Sequence, residues 1–124
     1  MEVVKMSYDV YMCDPVDRDN VIQFDEPHQI KCGTFAVEGT TEAWLNITYN
    51  YSDRLYRTMG EKGIRSIYGL SGAESIPIIE NAIKQLSDDV SEDYWEATEG
   101  NVKQALYGLL AFSKLRPDGI WDGD

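Results

Sequence analysis

The alternation of apolar and polar residues is clearest in the stretch 43–52, AWLNITYNYS. One side of this stretch carries apolar and aromatic residues: Ala43, Leu45, Ile47, Tyr49 and Tyr51. The other side is mostly polar: Trp44, Asn46, Thr48, Asn50 and Ser52. A period of two with many β-branched and aromatic residues predicts a strand with one buried face. Such a strand needs a second layer of structure to cover its apolar side.

Three further segments complete the predicted sheet. Residues 3–13 alternate in the same way, and a short strand at 21–25 forms a predicted hairpin with them across a long loop. Another strand is predicted at Thr34–Glu38, followed by a turn at 38–41 that leads into the Ala43 stretch. The N-terminal half therefore predicts a four-stranded, mainly antiparallel sheet.

Helical periodicity replaces this alternation in the second half. Ser52 is placed to cap a helix that starts at Asp53 and ends at Gly60 or Gly63. After a predicted loop at 71–75, Pro77 lies in the expected first turn of a second helix, where its missing N–H costs least.

A third helix is predicted between Thr98, which is placed as its cap, and the stop sequence Arg116-Pro117. Its apolar stripe contains Val102, Ala105, Leu106, Leu109, Leu110 and Phe112. Strands followed by two to three covering helices predict a two-layer α+β fold. The length of 124 residues predicts one domain over 1–124.

The charge narrows the classes of function. The chain has 22 acidic and 11 basic residues, a net charge of −11, which disfavours binding to nucleic acids and to anionic membranes. No apolar run approaches the length of a membrane span, and no secretion signal is expected. Cys13 and Cys32 have no metal-type spacing, so we expect reduced thiols in an intracellular protein; whether the two cysteines are close in space stays open. No cofactor is expected.

A local excess of cations forms one candidate site, for an anion. Four of the eleven basic residues lie within twelve positions, at Arg54, Arg57, Lys62 and Arg65. They are followed by Tyr68 and by Ser71, which precedes a predicted helix N-terminus where backbone N–H groups attract anions. The site predicted to bind a nucleotide or other phosphate compound consists of Arg54, Arg57, Arg65, Tyr68 and Ser71. The alternative is a set of surface cations that balance an acidic body.

The opposite charge dominates the segment between the last two predicted helices. Its candidate partner-binding residues are Asp88, Asp89, Glu92, Asp93, Tyr94, Trp95 and Glu96. Carboxylates spaced along a surface can take the place of nucleic-acid phosphates in the basic groove of another protein. The alternative is a solvated linker whose aromatic residues fold back onto the core.

Catalytic chemistry has little support in the sequence. His28 is the only histidine, which excludes a multi-histidine metal site within one chain, and no nucleophile or phosphate-loop motif is present. Tyr11 and Trp44 fall on the polar sides of their strands. They predict either an exposed binding or dimer surface or a face covered by the helices, because a period of two does not identify the covered side.

Several segments resemble small acidic proteins of bacteriophages and prophages. They are YDVYMCDP, IQFDEPHQIKCGTFAVEGTTEAWLNITYNYS, GLSGAESIPIIENAI and the ending LRPDGIWDGD. The resemblance implies a phage-encoded protein that acts in the bacterial cytoplasm and blocks host machinery, including defences that target nucleic acids. We therefore expect a non-enzymatic protein that binds a host protein, with a small-ligand binder for phosphate compounds as the alternative.

Overall fold

The computed structural model describes residues 7–28 and 40–124. Its main sheet has three antiparallel strands in the order β4-β1-β5, which are Trp44–Thr48, Ser7–Cys13 and Ile120–Gly123. The register pairs Tyr8 with Ile47 and Met12 with Trp121. A second, two-stranded sheet joins β2 (Gln23–His28) to β3 (Thr40–Glu42).

The helices follow the first four strands. A 3-10 turn at Tyr49–Tyr51 runs into α1 (Ser52–Met59), and a second 3-10 turn covers Gly63–Ile67. The two longer helices are α2 (Gly72–Lys84) and α3 (Glu99–Leu115). No helix in the described part of the chain is both long and apolar enough to cross a membrane.

One face of the main sheet packs against the helices. Val10, Met12, Leu45, Ile47 and Trp121 are all buried on that face and share a core with helix residues that include Leu55, Ile79, Leu106 and Leu109. The helices therefore cover the apolar side of the sheet, which is one of the two alternatives that the alternation left open. Tyr11 and Trp44 lie directly opposite each other in the register on the other face, and both are half-buried.

The predicted α+β class is confirmed, although the strands differ in detail. The C-terminal strand β5 was not predicted, because four residues are too few to show a period. The predicted hairpin is reduced to a single bridge between Cys13 and Val21, since β2 pairs with β3 instead of β1. The predicted strand Thr34–Glu38 lies outside the described residues, and the single domain stays a prediction.

Two helix starts were predicted at the wrong position. Thr48 caps the 3-10 turn that leads into α1, so the helical region begins before Ser52, whose hydroxyl contacts the hydroxyl of Tyr8 instead. Helix α2 begins at Gly72 within the predicted loop, because Ser71 and Glu74 form a reciprocal capping box. Of the two predicted ends of α1, Gly60 or Gly63, the helix ends at Gly60, whose φ of 104° favours glycine.

Candidate functional site

The candidate site is the acidic loop, which we define as residues 87–98 between α2 and α3. Five of its carboxylates are exposed to solvent: Asp88, Asp89, Glu92, Asp93 and Glu96. Trp95 is 52% exposed, while Tyr94 is half-buried. The loop therefore presents charge and one indole ring outward. Of the predicted partner-binding residues, Tyr94 instead packs against the core, as the alternative of aromatic residues that fold back onto the core expects.

Asn101, in the first turn of α3, holds the backbone of the acidic loop. Its side-chain oxygen accepts a 3.0 Å hydrogen bond from the backbone N–H of Ser91. Its side-chain nitrogen donates to the backbone carbonyls of Asp93 and Glu96, each at 3.0 Å. Asn101 is only 5% exposed, and the three hydrogen bonds are partly buried. A single amide side chain thus connects three points along the loop.

The start of α3 supplies further contacts. The N–H of Gly100 donates to the carbonyl of Asp89 at 3.0 Å, and a Cβ atom at Gly100 would lie 2.6 Å from the carbonyl carbon of Asp89. The side chain of Thr98 accepts from the N–H of Asn101 and caps the helix, as its position predicted. Glu99 accepts a 2.9 Å hydrogen bond from the N–H of Ser87.

A second set of contacts ties the loop to the end of β4 and the 3-10 turn before α1. The hydroxyl of Tyr51 donates to the carbonyl of Tyr94, and the N–H of Thr48 donates to the hydroxyl of Tyr94 at 3.2 Å. The side-chain amide of Asn50 donates to the carbonyl of Trp95 at 3.0 Å. The loop is therefore anchored from two sides, and its conformation is ordered by the rest of the fold.

The two aromatic residues of the loop, Tyr94 and Trp95, form a row of ring contacts with Tyr51 that runs from the core to the surface. The ring of Tyr51, which is buried, lies 5.4 Å from that of Tyr94, and Tyr94 meets Trp95 edge to face at 5.2 Å. The Trp95 ring is thus positioned by its edge-to-face contact with Tyr94, while much of it contacts solvent. Indole rings held in this way contribute strongly to protein interfaces.

Two cations lie at the base of the loop. Lys103 donates to the carboxylate of Asp88 at 2.8 Å, and this hydrogen bond raises the pKa of Lys103. Arg54 lies 3.6 Å from the carboxylate of Glu99. The pKa of Glu99 is lowered, first by the hydrogen bond from Ser87 and then by Arg54 and Arg57. The carboxylates of Asp89, Glu92 and Glu96 form no ion pair or hydrogen bond with other described residues.

The residues of the predicted anion site are divided among three places. Arg54 donates to the carbonyl of Ala97, and Arg57 pairs with Asp53 at 3.5 Å on α1. Arg65 instead donates to the backbone carbonyl of Asp124 at 2.8 Å. Its guanidinium also lies 5.1 Å from the centre of the Tyr8 ring.

Tyr68 belongs to the same region as Arg65, and burial raises the pKa of its hydroxyl. That hydroxyl is buried without a hydrogen-bond partner among the described residues. The side chain of Ser71 caps α2. The next amides of α2 already have acceptors, because Gly72 donates to Gly119 and Ala73 donates to Pro117. These contacts leave no convergent set of donors at the predicted anion site, which stays a prediction.

His28 and Cys13, the other residues considered for catalysis or metal binding, form contacts within the fold. His28 contacts the rings of Phe24 and Phe112 and is hydrogen-bonded through Nε2 to the carbonyl of Glu42 at 2.7 Å. Cys13 is a buried free thiol whose pKa is raised by burial, and Cys32 lies outside the described residues. Within residues 7–28 and 40–124, no group of three or more His, Cys, Asp or Glu side chains is arranged to hold a metal ion.

Sequence reasoning identified the acidic loop but missed the two residues that hold it. Asn101 was not singled out, although asparagine inside a predicted helix is a signal, since its side chain tends to bond to nearby loop backbone. Gly100 was missed as well, although a glycine in a first helical turn can mark a close approach of another backbone segment. The chain matches no protein-family model, no curated protein and no solved structure.

Proposed function

We propose that the chain is a non-enzymatic binding protein that engages a basic surface of another protein through its acidic loop. One observation carries the proposal: the backbone of the loop is fixed by buried hydrogen bonds from Asn101, while five carboxylates and the Trp95 ring remain exposed. The arrangement differs from an acidic linker without contacts to the fold, because hydrogen bonds hold the backbone that carries its charges.

A fixed arrangement of this kind favours binding for two physical reasons. The loop loses little conformational entropy when a partner binds, because its backbone is already ordered. Carboxylates at set spacings also attract a complementary set of cations and accelerate encounter with a basic partner. A groove that normally holds the phosphates of a nucleic acid offers such a set of cations.

The resemblance to small acidic phage and prophage proteins supports a more specific form of the proposal. In that form the partner is a bacterial host protein that handles or targets nucleic acids, the consequence of binding is inhibition, and the place of action is the host cytoplasm. The net charge of −11 supports it too, because such a chain is itself repelled by nucleic acids.

The test is affinity capture from a bacterial lysate with three versions of the chain. The first is wild type, and the second carries Asp89→Lys, Glu92→Lys and Glu96→Lys. The third is a matched control with Asp25→Lys, Glu26→Lys and Glu61→Lys, three exposed positions outside the loop. Both variants change the net charge by the same amount.

We expect mass spectrometry to find a basic protein with the wild type and the control but not with the loop variant. Added duplex DNA should release that protein if its nucleic-acid groove is the contact. Capture of the same proteins at the same yield by the wild type and the loop variant would contradict the proposal.

A further inference from the structure

Helix α3 exposes a stripe on the side opposite the core that is apolar apart from Gln104. At 3.6 residues per turn, positions 100, 104, 107, 111 and 115 fall within about 80° of one another. Gln104, Tyr107, Ala111 and Leu115 are exposed there, Tyr107 by 51% and Leu115 by 64%. Val90 covers Gly100 at the start of the stripe and is itself 54% exposed. We call Val90, Gln104, Tyr107, Ala111 and Leu115 the outer stripe.

The outer stripe is unusual for a surface helix. The opposite side of α3 is buried in the core through Val102, Leu106, Leu109 and Phe112, so the helix is apolar on both sides. A helix of this kind is normally covered on both sides. Large half-exposed apolar side chains in a row mark surfaces that contact another molecule.

The outer stripe continues directly into the acidic loop. Val90 belongs to both the stripe and the loop. Asp88, two residues before Val90, pairs with Lys103 of α3. Lys103 lies one helical turn before Tyr107. The backbone carbonyl of Asp89 accepts a hydrogen bond from Gly100, so the acidic loop lies against the N-terminal end of the outer stripe. A complementary molecule would combine an apolar row with cations at one end.

We propose that the element of the partner bound here is a basic amphipathic helix that lies along α3. This inference rests on the proposed function, which it extends by naming the shape and chemistry of the partner's contact. The distance from Gly100 to Leu115 is about 22 Å at 1.5 Å per residue, which is about four helical turns. Apolar residues at i, i+3, i+4 and i+7 of the partner would contact Tyr107, Ala111 and Leu115.

Charge distinguishes this occupant from a second copy of the chain. Two copies would each carry a net charge of −11, and their acidic loops would lie close to the shared contact. Lys114 is one exposed cation beside the far end of the stripe, whereas Arg116 is already paired with Asp118 at 2.9 Å. A basic helix instead removes the repulsion and supplies cations for the loop.

The test uses two synthetic 18-residue peptides of identical lysine and leucine content. In one, leucines recur at i, i+3, i+4 and i+7; in the other, the same residues are scrambled so that no helical stripe forms. Fluorescence anisotropy measures binding of each peptide to wild type, to a stripe variant with Tyr107→Ser and Leu115→Ser, and to Val16→Ser. Val16 is 93% exposed and lies far along the chain from α3, so Val16→Ser controls for loss of an exposed apolar side chain.

We expect the patterned peptide to bind wild type at least about tenfold more tightly than the scrambled peptide, and the stripe variant to remove that difference. Val16→Ser should leave it unchanged, and circular dichroism should show that both variants stay folded. The loop variant Asp89→Lys, Glu92→Lys, Glu96→Lys should weaken binding of both peptides.

Three outcomes would overturn the inference. If the two peptides bind equally and the loop variant binds both more weakly, the acidic loop is the binding surface and the outer stripe of α3 does not recognise a helix. Binding that is unaffected in the loop variant would contradict the proposed function itself. Self-association of wild type in sedimentation experiments, abolished in the stripe variant, would show that the stripe is a dimer face.

Discussion

The side-chain oxygen of Asn101 accepts a 3.0 Å hydrogen bond from the backbone N–H of Ser91, ten residues earlier in the chain. This bond and the two that Asn101 donates link the acidic loop to the first turn of α3. Because the side chain is almost fully buried, water cannot readily replace these bonds. Asn101 is therefore one of the main anchors of the proposed binding surface, beside the contacts of Tyr51 and Asn50 with the loop.

Asn101→Ala should destabilise the chain and loosen the loop. Loss of three hydrogen bonds is expected to lower the free energy of unfolding by about 2 to 3 kcal/mol. Urea denaturation measures that change, and hydrogen exchange should show faster exchange at the amide of Ser91. Gln104→Ala, at an exposed position of the same helix, should change the free energy by less than about 0.5 kcal/mol. Similar effects of the two substitutions would argue against the anchoring role of Asn101.

Gly100→Ala should also destabilise the chain, against the trend of helix propensity. Alanine is favoured over glycine in a helix by about 1 kcal/mol. Here the added methyl group would lie 2.6 Å from the carbonyl carbon of Asp89, which is backbone and has to shift. We expect a net loss of about 1 to 2 kcal/mol in thermal or urea unfolding. A gain in stability would mean that the loop does not approach α3 as closely as described.

Two tyrosine hydroxyls offer a matched comparison. The hydroxyl of Tyr51 donates to the carbonyl of Tyr94, whereas that of Tyr68 is buried without a hydrogen-bond partner among the described residues. Tyr51→Phe should cost about 1 to 2 kcal/mol in free energy of unfolding, and Tyr68→Phe should be neutral or stabilising. The reverse order of the two effects in urea denaturation would be inconsistent with the described contacts.

The ionised form of Glu99 should contribute to stability in a defined pH range. Its pKa is lowered from 4.5, first by the hydrogen bond from the N–H of Ser87 and then by Arg54, so the folded state favours the carboxylate. That contribution is present above pH 4.5 and is lost as the pH falls through the lower folded-state pKa.

Glu99→Gln provides the test of this linkage. Wild type should be the more stable protein at pH 7, and the difference in free energy of unfolding should shrink as the pH falls below 4.5. Comparison of two proteins at each pH cancels the general relief of charge repulsion on acidification. A difference that stays constant from pH 7 to acid would exclude ionisation of Glu99 as its source.

The parts of the fold that depend on local pattern could be predicted from the sequence. The alternation at 43–52 and 3–13 predicted strands that overlap β4 and β1, and the hydroxyl of Thr98 marked the start of α3. The prediction was wrong at 49–52, where a 3-10 turn at Tyr49–Tyr51 and the start of α1 follow β4. Strand β5 could not be predicted, because its four residues are a strand only through their pairing with β1. The covered side of the sheet depends on the helices, and alternation alone does not identify it.

The exposed carboxylates of the candidate site could be predicted from the sequence, but the contacts that order its backbone could not. A run of carboxylates indicates exposure, and Asp89, Glu92 and Glu96 are exposed. The order of the loop depends on contacts of Asn101 and Tyr51 with backbone up to 43 residues away in the chain. The predicted anion site shows that nearness in sequence does not bring side chains together. Arg54 contacts the carbonyl of Ala97, whereas Arg65 contacts the carbonyl of Asp124.

The role of the acidic loop in binding is tested most directly by the affinity of the captured partner protein for three purified chains. These are wild type, the loop variant Asp89→Lys, Glu92→Lys, Glu96→Lys, and the control Asp25→Lys, Glu26→Lys, Glu61→Lys. We predict that the loop variant has a dissociation constant about 30- to 100-fold higher than that of wild type. The dissociation constant of the control should stay within about threefold of the wild-type value. Equal weakening by both variants would show that net charge, and not the anchored acidic loop, governs binding, and would contradict the account.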